Sequence, residues 1–403
     1  FVPSRGLGDV YKRQEQKHIT NPVEFKGKGG EFFGIWIVNV LLTIITFGIY
    51  SAWAKVRTKR YFYGNTYVDS DNFEYHAEPM QILKGRLVAV AVLIWAVANA
   101  FFPAASAALL LVFYIALPWL LWSNARFDAA MTSYRNVHFS FDSSLKDAYV
   151  ALMGRGLGAL LAMAIYIGVV VAVSSVSAVA ATVLGIASLV FMAVLYAWVV
   201  AGAHKYFSNG YRYGDWKFSA ELETGFFFKT YLKAIGLGIV ASIVLLIAMS
   251  LTVFSGFDFT ALQNGDFSSL MGVSQVTVFI VAYLAIITLT IGLTAYTTTR
   301  LRNYIFDQLR AKLDQESDNQ YTFKSSLTAR GYTWLVISNF LLQVVTLSIA
   351  RPWVMVRTSR YVADNTVVFG DMSALKATDQ DSNVKSAVSD EVAQAFDLGI
   401  GIS

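Results

Sequence analysis

The sequence predicts an all-α membrane protein: a polytopic helix bundle with internal pseudo-symmetric repeats and small cytoplasmic β elements. Three observations predict it. Hydrophobic residues make up 56 % of the 403 residues, charged residues only 15 %, and mean hydropathy is +0.50. A soluble domain carries about 25 % charge, so this chain cannot cover a water-facing surface. Several stretches reach the roughly 20 apolar residues that a membrane span takes. The two ends of the chain also superimpose when shifted by 300 places.

In chain order, residues 1–14 (FVPSRGLGDVYKRQ) have no initiator Met and no apolar h-region. They do not read as a signal peptide. They resemble adapter-derived read-through on translated metagenomic fragments, and are expected to be a non-native leader. Residues 15–31 read as a cytoplasmic N-terminal segment, and residues 32–370 as one polytopic membrane domain. Its clear spans are 86–102, 104–122, 156–174, 179–202, 231–253 and 274–296. Residues 32–50 and 331–350 are apolar but interrupted by polar side chains. Residues 371–403 are polar and of mixed charge, and read as a solvated tail.

The connections set the orientation. Segments 102–105, 174–179 and 254–273 contain no Lys or Arg, whereas 53–86, 123–155, 203–233 and 297–330 are basic. Short basic loops stay in the cytoplasm. The clear spans therefore pair into three hairpins, with the basic loops and both termini cytoplasmic. Segment 32–50 has Lys26 and Lys28 before it and a basic cluster after it, and 331–350 lies between Arg330 and Arg351. These two end segments either re-enter, which requires shielding of the broken backbone, or cross. The positive flanks favour re-entry.

The superposition of the ends runs ungapped over 35 positions, 32–66 on 332–366. It matches Asn39 with Asn339, Thr46 with Thr346, Trp53 with Trp353, Arg57 with Arg357, Arg60 with Arg360 and Tyr61 with Tyr361. A weaker unit recurs after each hairpin: an aromatic stretch, a polar turn, then an alternating aromatic pair. The pairs are Phe73-x-Tyr75, Phe139-x-Phe141, Trp216-x-Phe218 and Tyr321-x-Phe323. Period-two aromatics after turn residues mark short strands. Transporters are commonly built from internal repeats, which raises that reading modestly.

The segment GEFFGIWIVNVLLTIITFGIYSAWAKVRTKRYFYGNT and the closing EVAQAFDLGIGIS resemble the YjgN-like family of bacterial inner-membrane proteins, a family of unassigned function. The likeness covers the chain from about residue 23 to its end. It implies a bacterial inner-membrane location and supplies no catalytic residue.

Two constellations carry candidate function. Asn39, Thr43 and Thr46, mirrored by Asn339, Gln343 and Thr346, are spaced by four and three and so share one helical face. They are read either as a polar path for a small solute or as hydrogen-bonding glue between helices. Trp53, Lys55, Arg57, Lys59, Arg60 and Tyr61, with Trp353, Arg357, Arg360 and Tyr361, form aromatic and basic collars. These suit interfacial anchoring or anionic lipid head groups, to which each cation contributes about 1 kcal/mol. In the C-terminal collar, Met355 and Ser359 replace Lys55 and Lys59.

Other chemistry is less well supplied. The chain has no Cys, and His18, His76, His138 and His204 lack zinc-ligand spacing, so no metal or cofactor is expected. Gly154-x-Gly156-x-Gly158 opens an apolar span, where glycine serves close packing rather than phosphate binding. With no nucleophile–base spacing the chain reads as a non-enzyme. Membrane lipids, with anionic head groups among them, and a second copy are the expected partners; nucleic acid is not. The first functional reading is a passive channel or facilitator for a small solute. The alternative is a non-transporting structural protein that binds anionic lipid or a protein partner.

Overall fold

The computed structural model describes residues 19–84, 103–253, 273–313 and 320–378. Its organising element is a closed, all-antiparallel barrel of ten strands. This corrects the all-α expectation, since the β elements join into one body instead of punctuating a helix bundle.

The chain builds the barrel by repeating one excursion. Strand β1 (Thr20–Phe25) leads into helix α1 (Gly29–Ile45), a tight turn, and helix α2 (Ser51–Gly64), which returns to β2 (Thr66–Val68). A two-residue turn then starts β3 (Asp71–Tyr75). A helix beginning at 79 leaves the described residues after 84, and α3 (Pro103–Ala130) returns to β4 (Thr132–Tyr134). The predicted span 86–102 lies outside the described residues. From β5 (Val137–Phe141) rises α4 (Leu145–Ser174), which contains a π-helical turn at Tyr149–Gly154. Helix α5 (Ala178–Ser208) descends to β6 (Tyr211–Tyr213). Strand β7 (Trp216–Ala220) feeds α6 (Thr224–Val253), and α7 (Val273–Gln308) returns to β8 (Leu309–Lys312). Last come β9 (Gln320–Ser325), α8 (Ala329–Val345), α9 (Arg351–Asp364) and β10 (Thr366–Phe369). Around the barrel the order is β1-β10-β9-β8-β7-β6-β5-β4-β3-β2.

Strands this short do not hold alone. Closure gives each a partner on both sides and leaves no edge exposed. The β2–β3 and β4–β5 turns place Asp69, Ser70, Arg135 and Asn136 all at positive φ, the two-residue geometry whose twist matches that of its flanking strands. Inside, Phe73, Phe139, Phe218 and Phe323 form a chain of rings with successive centroids 6.3, 6.5 and 5.8 Å apart. Tyr134, Tyr213, Trp216 and Tyr321 are buried beside them. The Tyr134 hydroxyl donates to the Val68 carbonyl, and that of Tyr213 to the Tyr134 carbonyl, both at 2.8 Å. The barrel is therefore a packed core and not a conduit.

Residues 371–378, which open the segment read as a polar tail, lie against the turn end of the barrel. Met372 is buried in the core. Trp216 Nε1 donates to the Lys376 carbonyl at 2.9 Å, and Arg135, paired with Asp69 and Asp71, donates to the Met372 carbonyl.

The helices all leave the opposite end, and each packs on its neighbours around a ring: α1 on α2, α3 on the start of α4, then α4, α5, α6, α7, α8, α9 and back to α1. Each outgoing helix starts four residues after its strand ends, so the five hairpins share one root level. Their heights differ. At 1.5 Å per residue, α1 and α8 rise about 25 Å, whereas α4, α5 and α6 rise about 45 Å. The two end segments thus fold as short hairpins. They sit side by side because β1 pairs with β10 and α1 packs on α9. Among the described residues four helices, Leu145–Ser174, Ala178–Ser208, Thr224–Ser250 and Val276–Gln308, are long and apolar enough to cross a membrane.

Candidate functional site at the seam of the end hairpins

The two short hairpins are built alike. Thr46 ends α1 by donating its hydroxyl to the Leu42 carbonyl (2.7 Å) and accepting the Tyr50 N–H (2.9 Å). Thr346 does the same with Leu342 (2.7 Å) and Ala350 (3.1 Å). Phe47 and Gly48, and likewise Leu347 and Ser348, then turn at positive φ. The tips present bare apolar side chains, with Phe47 97 % and Leu347 87 % exposed.

Within each hairpin an asparagine on the outgoing helix meets an arginine on the returning one. Arg57 Nη1 donates to Asn39 Oδ1 at 3.3 Å and to the Tyr50 hydroxyl at 3.0 Å. Arg357 Nη1 donates to Asn339 Oδ1 at 3.2 Å. The copies differ at the amide nitrogen. Asn339 Nδ2 reaches Thr358 Oγ1 at 3.1 Å, whereas Asn39 Nδ2 is buried without a partner. Thr43 donates to the Asn39 carbonyl at 2.6 Å, and Gln343 lies 3.5 Å from that of Asn339. Of the polar groups read as a solute path, the two asparagines bond across their hairpins, and the threonine and glutamine side chains bond within their own helix or its turn.

The basic collars divide in two. In the first hairpin Lys59 pairs with Asp128 at 2.6 Å, and Arg60 donates to the Tyr75 and Ala77 carbonyls, both at 3.2 Å. These bonds tie α2 to the next hairpin. Trp53 packs on the cluster of Ala52, Val56 and Phe127, and Lys55 is half-buried on α2. Tyr61 accepts the Lys28 N–H at 2.8 Å.

The C-terminal collar faces a cavity. Trp353, Arg357, Arg360 and Tyr361 join Lys28, Trp334 and Asp364 around an open groove of about 660 Å³. It adjoins a second groove of about 740 Å³ through shared Gly331 and Trp334, with Arg330 and Ile337 on its wall. Glycine makes the seam possible: a Cβ on Gly29 would sit 2.3 Å from Trp353 Cδ1, and one on Gly331 2.5 Å from the Tyr361 hydroxyl. Phe33 packs on Trp353 with centroids 5.1 Å apart, and Arg360 closes the seam by donating to the Gly27 carbonyl at 2.8 Å. Three cations and one carboxylate line the groove, and Lys28 also pairs with Glu31 at 3.3 Å just outside it, so the groove keeps a net positive charge between indole walls.

Sequence reasoning missed Lys28, Arg330, Trp334 and Asp364. Under the 300-place shift Trp334 falls on Gly34 and Lys28 on Thr328, so matching the two ends selected against them. The groove forms where the copies differ.

One polar trio elsewhere has catalytic residue types but not their geometry. His76 Nε2 lies 2.7 Å from Ser133 Oγ and 3.5 Å from Glu74. A relay needs the acid on the other ring nitrogen, and Ser133 is fully buried. Among the described residues no group of three or more His, Asp or Glu is placed to hold a metal ion.

The chain is 27 % identical over 378 residues to the inner membrane protein YjgN of Salmonella typhimurium strain LT2, covering 90 % of this chain and 92 % of that one. It is also 27 % identical over 369 residues to the inner membrane proteins YjgN of Escherichia coli O157:H7 and strain K12, covering 87 % of this chain and 89 % of each. No solved structure matches it. A family model described as "Bacterial protein of unknown function (DUF898)" matches residues 20–395, and the chain belongs to that family.

Proposed function

We propose that this is a bacterial inner-membrane protein that binds an anionic membrane lipid, without catalysis, in the groove at the seam of the end hairpins. The observation that carries the reading is the groove itself. Cationic Lys28, Arg357 and Arg360 stand beside Trp334, Trp353 and Tyr361 at the foot of a hairpin whose tip is apolar. A phosphate head group would meet the cations, and its chains would run past half-buried Ile337 and along exposed Phe340 and Leu341 toward the tip. The names of the relatives and the four long apolar helices support the membrane setting. The basic residues at the hairpin roots support a cytoplasmic barrel.

In this setting the short hairpins dip into one leaflet. Arg57 lies six residues, about 9 Å, from the start of α2. A tip projecting that far beyond a cation held at the interface stays within the nearer half of a hydrocarbon layer about 30 Å thick. A passive solute path has weaker support, because the asparagines and threonines assigned to it are engaged within the hairpins.

The test compares phospholipid co-purifying with the protein against the bulk membrane, by native mass spectrometry. The variants Lys28→Gln and Trp334→Ala change side chains that do not carry the seam. The protein is expected to retain anionic over zwitterionic lipid, with selectivity falling about fivefold per removed cation. Retained lipid that mirrors the bulk composition and is unmoved by the variants would overturn the reading.

A further inference from the structure

The long helices form a single layer, bare on both sides. Between Arg155 and Ser174 helix α4 has no buried residue. Ile165 and Ile167, which project about 200° apart on a helix of 3.6 residues per turn, are 61 % and 54 % exposed. Val190 and Met192 of α5, and Phe279 and Val281 of α7, repeat this two-residue spacing with both members exposed. From α3 round to α2 each described helix packs on the next in the ring, and the described elements show no substantial packing across it. One face of the layer therefore looks outward and the other toward the ring's interior, above the barrel.

We infer that the interior of the helical ring is filled by the acyl chains of membrane lipid, which enter over the half-height sector made by the two short hairpins. Three occupants could cover such a face: water, a second copy, or lipid. A helix apolar all round is suited to an apolar surrounding on every side, and these faces are apolar on both sides, which disfavours water. A second copy would have to lower helices rooted in its own barrel into a ring rooted in this one. Lipid has a route, because α1, α2, α8 and α9 stop about 20 Å below the other helices by their length and end in apolar tips. The electropositive groove stands at the foot of that opening. The inference rests on the lipid-binding reading of the groove, since the head group held there belongs to a lipid whose chains lie beside the opening.

The test uses the full chain, whose lack of cysteine permits single-site spin labels. Ile165→Cys, Ile167→Cys, Val190→Cys and Met192→Cys are labelled separately in nanodiscs of phosphatidylethanolamine and phosphatidylglycerol. Power saturation then compares collision with oxygen, which partitions into chains, and with a water-soluble nickel chelate. High oxygen and low nickel accessibility at both members of each pair is expected. High nickel accessibility at one member would show a water-filled interior and overturn the inference. Low accessibility to both reagents would show a face covered by protein, and would overturn it equally. Lipid selectivity of Lys28→Gln in the same nanodiscs reports on the groove separately. Selectivity with a wet or protein-covered interior removes this inference alone, whereas chains on both faces without selectivity remove the groove reading and the proposed loading beside it.

Discussion

Asn39 and Asn339 occupy matching places in the two ends, yet the structure gives them unequal energetic roles. Replacing Asn339 by Leu removes its bond from Arg357 at 3.2 Å and its own donation to Thr358 at 3.1 Å. A hydrogen bond to a charged group contributes about 1.5–3 kcal/mol, although bonds between helices in bilayers average nearer 0.6. Allowing for the apolar surface that Leu buries, a net loss of about 2 kcal/mol is expected. Replacing Asn39 by Leu removes one bond at 3.3 Å from an arginine that keeps the Tyr50 hydroxyl. It also removes a buried amide donor with no partner, whose desolvation is itself unfavourable by about 1–3 kcal/mol. The two effects nearly cancel, so N39L should stay within about 1 kcal/mol of the parent chain. Thermal unfolding of both variants in the same detergent, followed by the loss of monodisperse protein, measures the difference. Equal losses, or a larger loss for N39L, would refute this account of the hairpin brace and return both asparagines to a shared role.

Three further outcomes follow from the geometry. Gly29→Ala places a methyl where the Trp353 indole lies. It should lower stability by about 1–3 kcal/mol through overpacking, with partial recovery when Trp353 is also shortened to Leu, read from the same unfolding transitions. Burial, reinforced by nearby carboxylates, pushes Tyr134 and Tyr321 up to about 12. Because an unfolded tyrosine titrates near 10, their contribution is complete below pH 10 and is lost as pH rises from 10 through 12. Tyr321→Phe should flatten that alkaline loss in circular dichroism. Ending the chain at Gly370 removes the Met372 side chain and the carbonyls that Trp216 and Arg135 bond. The barrel should then become protease-sensitive at the Arg135–Asn136 turn while the helical content is kept.

Local patterns in the chain expose some of this architecture and hide the rest for identifiable reasons. The aromatic pairs beginning at Phe73 and Phe139 mark strands because period two is visible within five residues. That Phe139 and Phe218 meet in one barrel is not visible, since the strands that bring them together flank a pair of helices. The spacing of Asn39 and Thr43 correctly puts them on one face, and the hydroxyl does bond the Asn39 carbonyl. The partner across the hairpin, Arg57, depends on how the turn at 46–50 sets the register, which periodicity does not encode. The groove was obscured further by the comparison that revealed the ends. Superposition highlights what Trp53 and Trp353 share, while the groove wall arises at Trp334, where the first copy has Gly34.

The seam between the first and last strands also governs the order of events during synthesis. Thr20 pairs with Phe369, so the ribosome must add about 350 residues, some 20–70 s of translation at 5–20 residues per second, before the barrel can close. For that interval β1 offers an unpaired edge, and the helices emerging behind it must insert while still untethered to a finished base. The entropy of joining such distant ends grows only with the logarithm of their separation, so delay and exposure are the larger burden. A chain stalled before Thr366 would hold every residue of the groove yet leave the first strand's edge unpaired, making the last strand a checkpoint on whether the barrel was closed.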